Sequence, residues 1–313
     1  MILITGGTGF IGRALTRHLI EHDQRVRILI RPSPRSPDLP RGLPLEVAVS
    51  SILDERGLRA AMLGVDTIYH LASAEWHGAR GNLMNTDIQG TQTVIRSAVE
   101  AGARRFFYIS HLGADRASAF PLLKAKGIAE EYIRRSGLDY TILRSALVFG
   151  PNDHFTTGLA QLMNGLPFYL PVPGDGLTLL QPLWIEDLVT CLVWALEDNQ
   201  TRNQTLSIGG PEFLNFTQIL TLIMEQTHIS RRLVFVSPPY LRLLTVILET
   251  ILPSLPTSVY WIDYLAANRT CSLDTIPRTF NLLPSRFSHR LEYLQNQNWR
   301  SSFFQSVFHR QSR

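Results

Sequence analysis

Cysteine is scarce in this chain of 313 residues, which contains only Cys191 and Cys271. Two cysteines cannot build a disulfide framework, and their spacing does not match a zinc site. We therefore expect a reducing compartment and no bound metal. A strand pattern starts at Met1, and no signal peptide, with a basic segment followed by an apolar segment, comes before it. We therefore expect a cytoplasmic protein.

Long apolar runs and blocks of basic residues are missing as well. The most apolar stretch, Tyr240–Leu265, is interrupted by Arg242, Glu249 and Asp263, so we expect no transmembrane span. The pattern predicts a buried amphipathic helix followed by a packed loop. The alternative is a helix that docks on a protein partner or a membrane surface, with peripheral membrane association. A formal net charge of +4 without a Lys/Arg block does not indicate nucleic acid.

The composition is that of a folded protein, with 45% hydrophobic and 18% charged residues. The first half alternates short apolar runs with helical patterns, which is typical of βαβ units and a parallel sheet covered on both faces. The sequence predicts an α/β fold with a doubly wound parallel-sheet Rossmann domain over residues 1–150. A smaller C-terminal α/β lobe is expected over residues 151–313, with some elements returning to the first domain.

A glycine-rich turn, Thr5-Gly6-Gly7-Thr8-Gly9-Phe10-Ile11-Gly12, joins the first strand to the first helix. Gly6 permits a tight turn, Gly9 leaves room for a diphosphate, and Gly12 allows close packing of helix and strand. The free N–H groups and the dipole at the helix start favour phosphates. These features predict a dinucleotide site with contacts from Gly6, Thr8, Gly9, Phe10, Ile11 and Gly12.

The end of the second strand indicates which dinucleotide is bound. NAD-binding folds carry an acidic residue there for the ribose 2′-hydroxyl, but this sequence reads Ile28-Leu29-Ile30-Arg31-Pro32-Ser33-Pro34-Arg35. Arg31 and Arg35 can hold a 2′-phosphate through charge-assisted hydrogen bonds. The alternative is that Arg31 is a solvated strand end. We favour NADP(H) over NAD(H).

Three motifs together resemble atypical and extended short-chain dehydrogenases/reductases, a family related to the NAD-dependent epimerases/dehydratases. They are Thr5–Gly12, Asp66–Ala72 and Gly137–Arg144. The sequence is most similar to the branch that holds the NAD(P)-binding accessory subunit of respiratory complex I and the NmrA-like redox-sensing proteins. The resemblance implies that Ile52 packs on the adenine. It implies that Leu71 and Ala72 line the ribose and the path to the nicotinamide.

The Tyr-x-x-x-Lys motif of that family is incomplete here. If Lys126 is the motif lysine, its tyrosine position holds Leu122; if Lys124 is, that position holds Phe120. In the family the lysine lowers the pKa of the phenol so that it passes a proton near neutrality. Lys126 can still bind the nicotinamide ribose, and the alternative is a solvent-facing helix lysine.

The resemblance places the catalytic Ser/Thr at Ser110, which His111 follows. His111 can replace the tyrosine as an acid or base because its ordinary pKa lies near neutrality, or it can be structural. We expect a redox-sensing, structural or assembly role with weak or no catalysis. The alternative is an NADP-dependent reductase of a small carbonyl or enone, with His111 or water as proton donor. An NAD-dependent sugar epimerase or dehydratase fits less well because it needs the tyrosine.

Overall fold

The computed structural model describes residues 1–33, 42–252 and 255–308. Its strands are β1 (Ile2–Thr5), β2 (Val26–Ile30), β3 (Leu45–Val49), β4 (Thr67–His70), β5 (Arg105–His111), β6 (Asp139–Ser145), β7 (Val148–Phe149), β8 (Tyr169–Pro173), β9 (Leu179–Leu180), β10 (Leu183–Trp184), β11 (Gln204–Ile208), β12 (Leu214–Asn215) and β13 (Arg232–Val236).

Its α-helices are α1 (Phe10–Glu21), α2 (Glu55–Ala61), α3 (Thr91–Glu100), α4 (Pro121–Arg134), α5 (Thr156–Gly165), α6 (Ile185–Glu197), α7 (Phe216–Thr227), α8 (Pro238–Ile251), α9 (Val259–Tyr264), α10 (Thr275–Phe280) and α11 (Trp299–Phe308). A 3-10 segment, Glu75–Arg80, follows β4, and a π-helical segment, Met84–Gly90, leads into α3.

Seven parallel strands form the central sheet in the order β11-β6-β5-β4-β1-β2-β3. The strand order reverses between β1 and β4, and ligands of open α/β sheets bind in the crevice beyond the strand ends at such a point. The doubly wound Rossmann fold predicted from the sequence is confirmed.

Helices cover both faces of the sheet. Along β5, Phe106 and Tyr108 face one side and Phe107 and Ile109 face the other, because side chains alternate along a strand. The first pair joins the core under α2, α3 and α4, and the second pair joins the core under α1 and α6. Both cores are therefore apolar, as the nearly continuous apolar strands predict.

A smaller α/β lobe follows β6 and has its own apolar core around Phe149, Met163 and Ile223. β11 returns from this part of the chain to pair with β6 at the edge of the central sheet. The apolar stretch Tyr240–Leu265 contains α9 and all but the first two residues of α8, and these two helices are called the cap. The predicted packed loop is wrong over Val259–Tyr264, which form the helix α9. Nowhere in the described ranges does a helix have the length and apolar character needed to cross a membrane.

Candidate functional site

The turn between β1 and α1 leaves no room for side chains at two of its glycines. Gly6 has a φ of +73°, and a Cβ on it would lie 2.7 Å from the carbonyl carbon of Leu71 and 2.8 Å from the nitrogen of Ala72. A Cβ on Gly12 would lie 2.3 Å from the carbonyl oxygen of Gly6. The turn therefore packs directly against the end of β4, and α1 packs directly against the turn.

Gly9 differs from these two glycines because the space beside it is open. Among the described residues, a Cβ on Gly9 would have one neighbour within 4 Å, the Gly6 carbonyl oxygen at 3.2 Å. Gly9 is the N-cap of α1, so the N–H groups of Phe10, Ile11 and Gly12 belong to the first turn and have no acceptor within the helix. Open space and free donors in one place fit a diphosphate.

Two further residues assigned to the cofactor lie at the end of β4, and a third packs beside α3. The Leu71 N–H donates to the Thr5 carbonyl oxygen at 3.0 Å, which holds Leu71 and Ala72 against the glycine turn. Ile52 is buried and packs on Gly90, where a Cβ would lie 2.5 Å from Ile52 Cδ1. The structure thus brings Leu71 and Ala72 to the turn, and it places Ile52 in the core against which Ala72 packs.

Two described arginines follow the glycine turn and β2 in the sequence. Arg13 Nε donates to the Thr8 carbonyl oxygen at 2.8 Å. Arg31 directly follows β2 and is exposed. Arg35 lies outside the described residues.

Burial decides between the two lysines of α4. Lys126 is only 4% exposed, whereas Lys124 is exposed on the opposite side of the helix. Leu122 lies one turn before Lys126 and is also buried, and Phe120 precedes the helix as its N-cap. Burial therefore favours Lys126 over Lys124 as the lysine of the motif, and the solvent-facing alternative for Lys126 is wrong.

The ammonium group of Lys126 is paired with a buried carboxylate. Lys126 Nζ lies 3.4 Å from Asp87 Oδ1 and 5.2 Å from the centre of the Tyr108 ring. Asp87 also accepts hydrogen bonds from Ser73 Oγ at 2.6 Å and from the Ala74 N–H at 3.0 Å. Burial by itself would lower the pKa of Lys126, but the neighbouring oxygens of Tyr108, Asp87 and Glu75 raise that pKa above its ordinary value.

His111 and Glu75 form a second polar pair beside the first. His111 Nε2 lies 2.8 Å from Glu75 Oε2, and Ser73 Oγ lies 3.5 Å from the same oxygen. Burial would raise the pKa of Glu75, but the charge and hydrogen bond of His111, together with the charges of Lys126 and His154, lower it to about 2. Glu75 is therefore an anion at neutral pH.

Two buried polar side-chain atoms at the end of β5 are available to a ligand. Within the described part of the chain, Ser110 Oγ and His111 Nδ1 are buried without a hydrogen-bond partner. An unpaired buried polar group is costly, so such atoms are expected where a bound molecule completes the hydrogen bonding.

His70, by contrast, has partners on both ring nitrogens. Its Nδ1 lies 2.7 Å from Thr5 Oγ1, and its Nε2 lies 2.9 Å from Thr91 Oγ1. Burial and the charge of Lys126 lower its pKa to about 3, so the ring is neutral. It holds the ends of β1 and β4 to α3, which is a structural role.

A buried carboxylate anchors the cap to the segment after β4. Glu249 accepts hydrogen bonds from the N–H groups of Ala79 at 2.9 Å and Val259 at 2.8 Å. Arg80 Nη2 donates to the Thr250 carbonyl oxygen at 2.7 Å. These bonds place α8 and α9 over the carboxyl ends of β4 and β5.

Under the cap lies a cavity of about 190 Å³. Most of its wall is apolar, with Leu122 on the side of α4 and Val246 and Val259 on the side of the cap. Its polar lining includes Glu75 and Tyr260. Leu122, one turn before Lys126, therefore faces a cavity.

The residues that the sequence did not indicate are Asp87, Glu75 and Tyr260. Each meets its partner across a long stretch of chain, so no local spacing could reveal the pair. In the described ranges no group of three or more His, Cys, Asp or Glu side chains is arranged to hold a metal ion.

Residues 6–167 match the family described as NAD(P)H-binding, which covers more than half of the chain. The chain belongs to this NAD(P)H-binding family. It is an atypical short-chain dehydrogenase/reductase of the branch that includes the accessory subunit of respiratory complex I.

Two curated relatives illustrate the range of this NAD(P)H-binding family. The mitochondrial NADH dehydrogenase [ubiquinone] 1 alpha subcomplex subunit 9 of Arabidopsis thaliana is 26% identical over 71% of this chain and 56% of its own length. A ceramide reductase of Caulobacter vibrioides is 31% identical over 55% of this chain and 53% of its own length. The chain thus spans little more than half the length of these relatives.

Among solved structures, an epimerase from Methanothermobacter thermautotrophicus has a TM-score of 0.74 and 20% sequence identity. The match covers 98% of this chain and 93% of the epimerase. At this identity the likeness shows a shared fold.

Proposed function

We propose that this chain is an NADP(H)-binding protein with a structural, assembly or redox-sensing role and weak or no catalysis. The observation that carries the proposal is the state of Lys126. It is buried beside Asp87, one turn after a leucine. A lysine in this place can bind the nicotinamide ribose, but the phenol that would pass the proton is absent.

The dinucleotide would lie across the crevice between β1 and β4. The first N–H groups of α1 would hold its diphosphate, and Ile52, Leu71 and Ala72 would line the adenine and ribose. Ser110 has a free polar atom for the nicotinamide end. Once bound, the cofactor would supply hydride chemistry. The exposed Arg31 supports a 2′-phosphate and hence NADP(H).

The solvent-exposed face of α8 supports the proposal that the chain binds a protein partner. Five apolar side chains on this face are between 46% and 73% exposed: Tyr240, Leu243, Leu244, Ile247 and Ile251. Their spacing puts them on one side of a helix, and contiguous exposed apolar surface marks interaction sites.

We assign this face to an apolar protein surface because a membrane-binding helix carries Lys and Arg beside its apolar face. Within α8, all of which is described, Arg242 is the one exposed charged residue, and its Nε donates to Asp263 Oδ1 at 2.7 Å. The likeness to a subunit of NADH dehydrogenase also favours a protein partner. Both cysteines are free thiols, which supports a reducing compartment such as the cytoplasm.

A thermal-shift titration with NADPH and NADH tests the cofactor without knowledge of a substrate. We expect saturable stabilisation by both nucleotides, at lower concentration for NADPH. NADPH oxidation over a panel of ketones and enones should show no turnover above background. The absence of any shift with either nucleotide would overturn the proposal.

The partner is tested with the double variant Leu243→Glu/Ile247→Glu, with Glu pairs at exposed positions on α2 as a control. In cell extracts of the source organism, native gels should show the tagged wild type in a larger assembly and the α8 variant alone. Equal migration of the two proteins would contradict docking through α8.

One observation favours a second function, an NADP-dependent reductase of a carbonyl compound. The cavity at Leu122 is also lined by a phenol, Tyr260, whose hydroxyl lies 3.4 Å from His111 Nε2. The similarity to a ceramide reductase is consistent with a substrate that carries a carbonyl group on an apolar skeleton. Measurable turnover in the ketone panel would favour this function over the first.

A further inference from the structure

The cavity under the cap contains two phenols, and one of them is joined to the polar groups of the site. Tyr260 and Tyr264 both line the cavity from α9. Tyr260 Oη lies 3.4 Å from His111 Nε2, and that nitrogen lies 2.8 Å from Glu75 Oε2. From Glu75 the polar contacts continue through Ser73 to Asp87 and the ammonium group of Lys126.

The charged side chains in the lining are poor donors toward a neutral ligand, and of the two phenols Tyr260 is the one whose hydroxyl contacts His111. Glu75 is an anion that accepts from His111. Arg242 donates to the carboxylate of Asp263, which also lines the cavity. Burial raises the pKa of Tyr260 well above its ordinary value, so its hydroxyl keeps a proton that it can donate.

We propose that the cavity binds a carbonyl compound with an apolar ring or chain, and that Tyr260 takes the place of the phenol missing at position 122 by donating its hydroxyl proton to the carbonyl oxygen. This inference rests on the second proposed function. The apolar wall at Leu122, Val246 and Val259 would hold the body of the ligand, and only its oxygen would reach the polar end.

The same hydroxyl can complete a reduction. A reduced nicotinamide dinucleotide bound in the crevice would supply the hydride for the carbonyl carbon. As the C=O π bond broke, the carbonyl oxygen would gain negative charge. That oxygen takes the Tyr260 proton, which breaks the phenol O–H bond and forms the alcohol O–H bond. The phenolate then takes a proton from the ring of His111, and solvent replaces the proton on that ring.

A pair of matched compounds tests the binding step without turnover. α-Tetralone and tetralin share one bicyclic skeleton, and only α-tetralone carries a carbonyl group on it. Their Kd values for the full chain, measured by saturation-transfer NMR with and without NADPH, should differ about threefold to tenfold in favour of α-tetralone, as expected for one hydrogen bond.

The variants then assign that preference to one hydroxyl. In Tyr260→Phe the ratio of the two Kd values should fall to about one, with tetralin binding unchanged. In Tyr264→Phe, the matched control from the same helix and cavity, the ratio should be kept. A thermal melt of each variant checks that it is folded. A preference that survives Tyr260→Phe, or binding of neither compound by the wild type, would overturn the inference.

NADPH oxidation with α-tetralone separates this inference from the reductase function. Carbonyl-selective binding lost in Tyr260→Phe, but without turnover, supports the cavity assignment and defeats the reductase. Turnover with an unchanged kcat in Tyr260→Phe defeats the role of Tyr260 and leaves the reductase in place.

Discussion

Lys126 and Asp87 form an ion pair shut off from solvent, with 3.4 Å between Nζ and Oδ1 and with neither side chain more than 4% exposed. Two charges withdrawn from water depend on each other, because the loss of one leaves the other buried and unpaired. Their separation along the chain makes this pair a tertiary link between α4 and the segment that leads into α3.

Replacement of one partner should therefore cost more than replacement of both. We expect Lys126→Met to lower the free energy of unfolding by about 3–5 kcal/mol. The double variant Lys126→Met/Asp87→Asn should recover about 1–3 kcal/mol of that loss. Urea denaturation measures both, with the exposed Lys124→Met as a control that should change little. Additive losses would show that the two groups do not interact.

Gly9 and Gly12 should separate nucleotide binding from folding. We expect Gly9→Ala to keep its melting temperature but to lose NADPH binding, because the new methyl group fills the open space beside the first amides of α1. Gly12→Ala should lose about 1–3 kcal/mol of stability as well, since its Cβ meets backbone atoms. Thermal melts and NADPH titrations of the two variants check this. Retained NADPH affinity in Gly9→Ala would place the diphosphate elsewhere.

Arg31 should distinguish the two nicotinamide dinucleotides. If its guanidinium contacts a 2′-phosphate, Arg31→Asp should weaken NADPH binding about tenfold to a hundredfold and change NADH binding far less. Calorimetric titration of both nucleotides gives the ratio, with the exposed Arg300→Asp as a charge-matched control. An equal loss for both nucleotides contradicts the contact.

Glu75 should contribute to stability above acidic pH. Its pKa is about 2 in the folded protein against an ordinary 4.5, so its contribution is full above pH 4.5 and is lost as the pH falls towards 2. The difference in unfolding free energy between wild type and Glu75→Gln should shrink by about 3 kcal/mol over that window. Urea titrations at several pH values measure it. A difference that does not depend on pH would argue against the ion pair with His111.

The sequence was sufficient to predict the sheet and the glycine turn, because both depend mainly on the spacing of residues along the chain. Short apolar runs alternate with helical patterns, and the turn glycines are required by contacts within a few residues or with the neighbouring strand β4. For the Tyr-x-x-x-Lys motif the sequence left two registers open, with Lys126 after Leu122 or Lys124 after Phe120. Which of the two lysines of α4 is buried followed only from packing.

Asp87, Glu75 and Tyr260 could not be predicted in the same way. An acidic residue near a helix start usually faces solvent, and nothing in the residues around Asp87 shows that a lysine on another helix lies against it. Tyr260 reaches the site only because α8 and α9 fold back over the strand ends. That arrangement depends on contacts such as those of Glu249, which no periodicity encodes.

The anchor of the cap has a consequence for how the protein tolerates substitution. Glu249 bonds to main-chain N–H groups at positions 79 and 259, which every amino acid except proline provides. The side chains at these two positions can therefore vary, and the cavity lining with them, while the attachment of the helix persists. Ligand preference can therefore change among homologues while the cap stays attached, provided that Glu249 is kept and neither position becomes proline.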